Sequence, residues 1–353
     1  MVDGTATHEP LTRIERIIMK SLILISLLAF IGQVHSQDQP TAIHDFKNQH
    51  VFYADLGISP APFNISYSFP YEVSKLKYKN NFKPILGLAY AYKWFSMRIA
   101  FPILPGVRST EKYGKSKQFA LGFDYNFKRL YTDLDFRIIQ GYAIKNAYTF
   151  DSSLTENNPN KVFPELGSLN LALNLWYFNH DDFKMNALQG KRAHFEKQVH
   201  TWYLKGTLNY FGVTNARGEI IPSLLQDELQ SKTSAQAYSA LDFGIIPGYA
   251  YANRINNWQI SGWAGLGAVV QSKFYTLDSG VQGFLGLAPR YDIRLVGGYS
   301  NNERFFLLAA NFDNKSIAFN TLAYKQYFYT IRLVAGIRIP PKTSNPTNGR
   351  QRN

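Results

Sequence analysis

From about residue 82 to residue 339 the chain alternates apolar and polar side chains with a period of two. Between Tyr327 and Ile339 one set is Tyr327, Tyr329, Ile331, Leu333, Ala335, Ile337 and Ile339, and the other is Phe328, Thr330, Arg332, Val334, Gly336 and Arg338. Successive side chains of a strand point to opposite faces, so this segment reads as a strand with one apolar and one mixed-polar face. The same split recurs in 118–128, 130–139, 169–179 and 290–300. Shorter alternations predict strands at 84–92, 95–102, 183–189, 201–211, 237–252, 257–271 and 303–313. Helical periodicity of any length is absent. The count from residue 82 is twelve, and a strand at Val51–Ile58 or Phe63–Phe69 would precede it. Bacterial transmembrane barrels have even strand numbers. Twelve is therefore the expectation and fourteen the alternative.

The connections differ in character. Lys93-Trp94, Lys128-Arg129, Asn179–Asp182, Asn253–Asn257 and Asn301-Asn302 read as tight turns. Residues 103–117, 143–167, 190–200, 212–236 and 272–283 read as long polar loops. Outer-membrane barrels place short turns on the periplasmic side and long loops outside. The regular order breaks between 183 and 252, as if one strand near 212–236 were missed or misread. Aromatic residues crowd the tight turns, and Tyr92, Trp94, Tyr125 and Trp258 predict one aromatic girdle at headgroup level.

Alternation alone does not say which face is buried. About eight strands give an interior that side chains just fill, so twelve strands with Leu, Phe and Ile inward would leave a space hard to pack. With the apolar face toward lipid, Arg98, Asp133, Asp135, Arg137, Arg290, Asp292, Arg294, Arg332 and Arg338 line the lumen, together with Asp124, Lys128, Lys205 and Asp242. A charge facing lipid at the midplane costs about 2–4 kcal/mol, so their confinement to one face is informative. The predicted fold is all-β, a transmembrane antiparallel barrel over 82–339. A soluble secreted β-barrel binding protein, which also alternates, is the competing reading.

The ends fit export. Residues 19–36, MKSLILISLLAFIGQVHS, combine Lys20, an apolar run from Leu22 to Ile31 and a small residue at Ser36, the layout of a cleaved signal peptide. The run is shorter than the about 20 residues of a membrane-spanning helix. Residues 1–18 read as an upstream start-site extension, 37–81 as an N-terminal segment holding a first strand or a plug, and 340–353 as a polar tail. The chain has no cysteine, which excludes disulfides and thiol chemistry. The net charge of +13 is spread along the chain without a dense basic block. This points to outer-membrane lipid and small anionic solutes as partners, and not to nucleic acid.

Three stretches carry a resemblance to a known family. They are Tyr78–Ala100 (YKNNFKPILGLAYAYKWFSMRIA), Pro247–Tyr251 (PGYAY) and the segment RYDIRLVGGYSNNERFFLLAANFDN from Arg290. In these loose glycine and aromatic motifs the chain resembles a domain-of-unknown-function family of outer-membrane β-barrel proteins of Bacteroidetes-type bacteria. The resemblance implies a barrel, an outer-membrane location and the barrel assembly machinery as a partner. It implies no activity and no catalytic residues. Such barrels commonly end at a terminal aromatic residue, whereas here PPKTSNPTNGRQRN follows Ile339.

Candidate chemistry is sparse. His180-Asp181-Asp182 resembles a metal cluster but also suits a polar turn, and His194 and His200 lie far from it in sequence. No HExxH or GxSxG spacing occurs. Gly262, Gly265 and Gly267 in SGWAGLGA precede no helix, so they read as close strand packing and not as a phosphate loop. No metal, cofactor or catalytic residue is expected. The expected role is a non-enzymatic outer-membrane barrel, either a narrow anion-favouring solute channel or an envelope structural protein, with residues 37–60 or an inward-folded loop blocking the lumen. The alternative is a barrel-wall lipid-modifying enzyme with a Ser, a His and an Asn or Asp gathered on the outer wall.

Overall fold

The computed structural model describes residues 43–127, 129–180 and 183–341. The predicted signal peptide, the extension before it and residues 342–353 of the tail lie outside the described residues.

Sixteen strands and two short helices make up the described chain. The first half holds β1 (Ile43–Asp45), β2 (His50–Ile58), β3 (Phe63–Ser66), β4 (Lys75–Asn80), β5 (Ile85–Tyr92), β6 (Phe95–Pro102), α1 (Thr110–Tyr113), β7 (Lys117–Asn126), β8 (Leu130–Ile144) and β9 (Lys161–Phe178). The second holds α2 (Met185–Gln189), β10 (Ala193–Phe195), β11 (Val199–Asn215), β12 (Ala237–Ile255), β13 (Trp258–Leu277), β14 (Gly280–Ser300), β15 (Arg304–Ala318) and β16 (Ala323–Ile339). Twelve of the strands close an antiparallel ring in the order β2, β5, β6, β7, β8, β9, β11, β12, β13, β14, β15, β16. The ring shuts where β16 pairs with β2, from Ile331↔Ile58 to Ile339↔His50.

The expected strand number holds, but its membership differs. The wall begins at His50, inside the 37–81 segment, and not at residue 82. Residues 183–189 are not a wall strand; they hold α2, inside the barrel. No strand is missing near 212–236, because β11 runs on to Asn215. Residues 272–283 are not a long loop either. They complete a hairpin of 20- and 21-residue strands that turns at Asp278-Ser279. Tight turns at 93–94 and 256–257 use the left-handed residues Lys93 (φ 50°) and Asn256 (φ 55°), as two-residue hairpins require.

The orientation is apolar outward. On β9, Leu171, Leu173 and Leu175 are exposed while Ala172, Asn174 and Trp176 are buried. On β16, Ile331, Leu333 and Ile337 are exposed while Arg338 points inward.

Two strands change partner partway along. β8 pairs with β7 as far as Gln140 and with β4 from Tyr142, across a bulge at Gly141. Gly141 has φ 89°, and a Cβ there would lie 2.3 Å from the Lys115 carbonyl oxygen, so a side chain does not fit. β16 pairs with β2 near its end and with β3 near its start. At the long-loop end β3 and β4 therefore bridge β16 to β8 in place of four wall strands. Nearby, the β14–β15 ladder stops at Asp292↔Asp313. Beyond it Gln271 and Arg290 donate to the Ser316 carbonyl at 2.9 and 3.3 Å, which satisfies β15 backbone on the side that β14 no longer pairs.

The interior has three layers. Toward the long loops, wall residues Phe63, Tyr78, Tyr142, Tyr238 and Tyr324 pack with Ile220, Ile221 and Leu225 of the 216–236 connection. Toward the short turns, Phe183, Met185, Leu188 and Phe195 of the 183–198 segment pack against Tyr53, Trp176, Tyr203 and Phe305. There β1 adds to β10 through Ile43↔Phe195 and Asp45↔Ala193. Between these apolar layers lies a charged one.

Candidate functional site

The charged layer is built by alternation. Inward positions midway along β2, β6, β8, β11, β12, β14, β15 and β16 are Asp55, Arg98, the Asp133–Asp135–Arg137 row, Lys205, Asp242, the Arg290–Asp292–Arg294 row, Asp313 with Lys315, and Arg332. Most of these groups satisfy one another. Arg98 forks onto Asp55, with Nε to Oδ2 and Nη2 to Oδ1 both at 2.6 Å. Gly87 makes room for that pair, since a Cβ there would lie 2.3 Å from Asp55 Oδ2 and 2.5 Å from Arg98 Nη2.

Arg290 donates to Asp242 Oδ2 from Nε at 2.7 Å, and Gln271 donates to Asp242 Oδ1 at 2.8 Å. Lys205 Nζ lies 3.3 Å from Asp292, and Lys315 Nζ 3.0 Å from Asp313. Arg294 sits 3.7 Å from Asp133 and 3.8 Å from Asp292. Asn174 donates to Asp133 at 2.8 Å and accepts from Thr207 Oγ1 at 2.8 Å. Trp176 lies beneath both Lys205 and Arg294, whose cationic groups are 5.0 and 5.1 Å from its ring. Ions taken out of water are tolerated only when paired and hydrogen-bonded, and this network meets that condition for most of its members.

The layer encloses a cavity of about 220 Å³. Six cationic side chains line it (Arg98, Arg137, Lys191, Lys205, Arg294, Arg332) against five aspartates (Asp55, Asp124, Asp133, Asp135, Asp313). Their partners Arg192, Lys315 and Asp292 bring the balance to eight cations against six carboxylates.

Of the residues expected to line the lumen, Arg98, Asp133, Asp135, Arg137, Arg294 and Arg332 line the cavity. Arg290 and Asp292 are buried in the wall network beside it. Arg338 departs from that expectation. It lies one layer lower and holds the plug, donating from Nε to the Lys191 carbonyl and from Nη2 to the Gly190 carbonyl, both at 2.9 Å. Its guanidinium covers the Phe46 ring at 4.0 Å. The plug is further tied by Gln259, which donates to the Ala187 carbonyl at 2.7 Å, and by Ser261 on the Leu188 carbonyl. Of the blocking segments expected from sequence, residues 43–45 do enter the lumen, but 50–58 form wall, and 183–198 supply most of the lower plug.

The four girdle residues share the short-turn end. Trp94 and Trp258 are exposed. Trp94 stacks on Tyr125 at 5.7 Å, Trp258 meets Tyr299 edge-on at 6.0 Å, and Tyr92 stacks on His50 at 4.4 Å.

The histidines do not converge. His194 is buried in the plug, stacked on His44 at 5.1 Å, while His200 reaches Tyr249 at 2.5 Å. Asp181 and Asp182 lie outside the described residues. Among the described residues no group of three metal-ligating side chains gathers. The glycines of SGWAGLGA serve packing. A Cβ on Gly267 would lie 2.4 Å from the Ile245 carbonyl oxygen, and one on Gly265 2.9 Å from Tyr203 Oη.

Sequence reading missed Asp55 and Lys191. Asp55 sits in the alternating run VFYADLGI and was legible there. Lys191 belongs to a segment with no periodicity to read.

Residues 44–338 match the model of the family described as Domain of unknown function (DUF4421). No curated protein matches. Among solved structures the chain is similar to the outer membrane protease OmpT from Escherichia coli, at 12% identity over 83% of this chain and 97% of that one, with a TM-score of 0.39. It is similar to the translocator domain of the autotransporter NalP from Neisseria meningitidis, at 10% identity over 92% and 96%, TM-score 0.39. It is also similar to an outer membrane channel from Pseudomonas putida F1, at 11% identity over 86% and 100%, TM-score 0.34. The closed ring of strand pairings, and not these likenesses, establishes the barrel.

Proposed function

The chain belongs to the family described as a domain of unknown function (DUF4421), and from the interior of its barrel we propose that it is an outer-membrane protein sealed at rest, an envelope scaffold and not a standing pore. One observation carries this reading: the charged layer is enclosed by an apolar layer on each side. A conducting pore needs a continuous polar path, and here aromatic and aliphatic side chains fill both exits. The outward band of Leu, Ile, Phe and Val supports a place in lipid, with the girdle end toward the periplasm. Anionic lipid headgroups and the barrel assembly machinery are the partners this reading calls for. It assigns the barrel no chemistry. A lipid-modifying enzyme needs a serine beside a wall histidine, whereas His50 and His200 hydrogen-bond Tyr90 and Tyr249.

The test is conductance in planar bilayers of protein whose folding is verified by heat-modifiable gel mobility. Folded protein is expected to give no steady current. A steady open level would overturn the sealed reading.

A second reading, a gated anion-favouring channel, is favoured by one feature. Most of the lower plug is a single connection, joined to the wall at both ends and held largely by the clamps of Arg338, Gln259 and Ser261. Loosening those clamps and shortening 216–236 together should then produce current with anion preference, because cations exceed carboxylates in the charged layer.

A further inference from the structure

Pairing in the charged layer is uneven, and its exception is Arg332. Among the described residues no carboxylate comes within salt-bridge distance of it. Three other cations, Arg98, Arg137 and Lys191, share its cavity with five aspartates, of which Asp55 is the one that acts on Arg332. Arg98 is committed to Asp55. Arg137 reaches Asp135 only at 3.5 Å and leaves Nε and Nη1 without partners. Among the described residues Lys191, from the plug, has the Tyr53 hydroxyl at 3.5 Å and that residue's ring at 4.7 Å, and no carboxylate within salt-bridge distance. Arg332 Nε has no partner. With the Asn311 amide turned so that its oxygen meets its donors, Asn311 Oδ1 accepts from Arg332 Nη2 at 3.1 Å, a neutral contact that leaves the charge uncompensated.

The wall is shaped to admit this arginine. Gly57 on β2 faces Arg332, and a Cβ there would lie 2.7 Å from Arg332 Cγ and 2.2 Å from the Ile331 carbonyl oxygen. Gly57 and Gly87 together clear the space that Arg332, Arg98 and Asp55 occupy. One carboxylate, Asp55, thus serves three cations: Arg98 directly, and Arg332 and Lys191 through space. A guanidinium enclosed in a barrel without a direct counter-charge is expensive, because the protein replaces only part of the hydration it loses. A mobile counter-anion removes the deficit.

We propose that the cavity beside Arg332, Arg98 and Lys191 is a binding site for a small oxyanion, inorganic phosphate or sulfate. Guanidinium groups present paired N–H donors that fit oxyanion edges, and about 220 Å³ accommodates such an ion together with water. The site goes beyond the sealed-barrel reading, since it exists whether or not the plug ever moves. Its three cations come from β16, β6 and the plug, so an ion there also ties the plug to the wall.

The experiment uses the full barrel refolded in detergent with radiolabelled inorganic phosphate, followed by gel filtration. About one phosphate per heat-modifiable barrel is expected to be retained, with sulfate competing and chloride competing at least tenfold less well. Arg332→Met should weaken retention at least tenfold while the heat-modifiable fraction stays unchanged. Asp55→Asn removes the competing carboxylate and should strengthen retention several-fold, so the proposal stays testable if Arg332→Met does not fold. Absence of retained phosphate in the unsubstituted barrel overturns the site. Equal retention in Arg332→Met and the unsubstituted barrel, an adventitious ion only, overturns it as well. Conductance plays no part in the readout, so failure here is distinct from failure of the sealed reading.

Discussion

Arg338, on the last wall strand, donates to the carbonyl oxygen of Gly190 at 2.9 Å, joining residues 148 positions apart in the chain. Gly190 closes α2 with φ 67°, a left-handed conformation that glycine takes without a Cβ penalty, and this turns its carbonyl toward the wall. Arg338→Met keeps the apolar stem and removes the donors. The Lys191 carbonyl then loses its partner, at roughly 1–3 kcal/mol, while the Gly190 carbonyl keeps the Ser300 hydroxyl at 3.0 Å. The 183–198 segment should be cut by proteinase K in detergent at several-fold lower protease concentration, with the wall strands still protected. Unchanged protection of the plug would remove Arg338 from the role of clamp.

The Arg290–Asp242 pair tests how the charged layer is held. Both side chains are almost fully buried. Arg290→Met alone strands a buried carboxylate and should cost about 3–5 kcal/mol. Arg290→Met with Asp242→Leu removes both charges and should recover most of that loss. Urea unfolding of the barrel in liposomes measures both. A double variant as unstable as the single one would show that Gln271 and Ser316, not the ion pair, account for the cost.

Tyr203 occupies space left by two glycines. A Cβ on Gly248 would lie 2.2 Å from Tyr203 Cζ. Gly248→Ala should destabilise the barrel by about 1–3 kcal/mol through overpacking. In a Tyr203→Ala background the same change should cost clearly less, the remainder coming from the Ala264 carbonyl oxygen, 2.6 Å from the added Cβ. A double-mutant cycle on urea midpoints reads the coupling, and additive losses would place the strain elsewhere.

The lower plug carries a pH dependence. Burial, reinforced by Arg254, His44 and Arg338, pushes the His194 imidazole down to about 3 from its ordinary 6.5. Arg254, Arg338 and His44 face His194, Phe46 meets its ring edge-on at 5.3 Å, and the nearby carboxylate Glu196 faces His44 at 3.9 Å. A base held neutral in the fold contributes stability that is complete above pH 6.5 and is lost as pH falls toward 3. Protease susceptibility of 183–198 should rise between pH 6.5 and pH 4, and His194→Gln should flatten that rise. A rise that persists unchanged in the variant would assign it to another group.

How much was legible in the sequence follows from what each side chain faces. Where one face meets lipid and the other the charged layer, as along 327–339 or 169–178, contrast between the faces is strong and the strands read correctly. Inside the barrel that contrast disappears. Met185, Asn186, Ala187 and Leu188 are all buried because the plug is surrounded on every side, and a short run such as FKMNALQ then imitates a strand. Toward the long loops the inward face is itself apolar, so Tyr142, Tyr238 and Tyr324 gave no sign that they point inward to seal the lumen. Alternation gave the charged residues a face, but their pairing was not legible. Arg98 with Asp55, and Arg294 with Asp133, are set by strand order and register, which alternation leaves open.

The short stretch between β1 and β2 bears on how the molecule is put together. β1 lies within the lumen against β10, and after Phe46 to Gln49 the chain emerges as β2, the strand that shuts the ring against β16. That seam joins the first and last wall strands, a slow step because the loop it closes spans almost the whole wall. Zipping that seam and seating β1 against β10 are neighbouring events, since only residues 46–49 separate β1 from β2. A barrel that closes with β1 out of place would be a mis-threaded product, and the hydrogen bond from Phe46 N–H to the Arg192 carbonyl at 2.9 Å marks the correct thread.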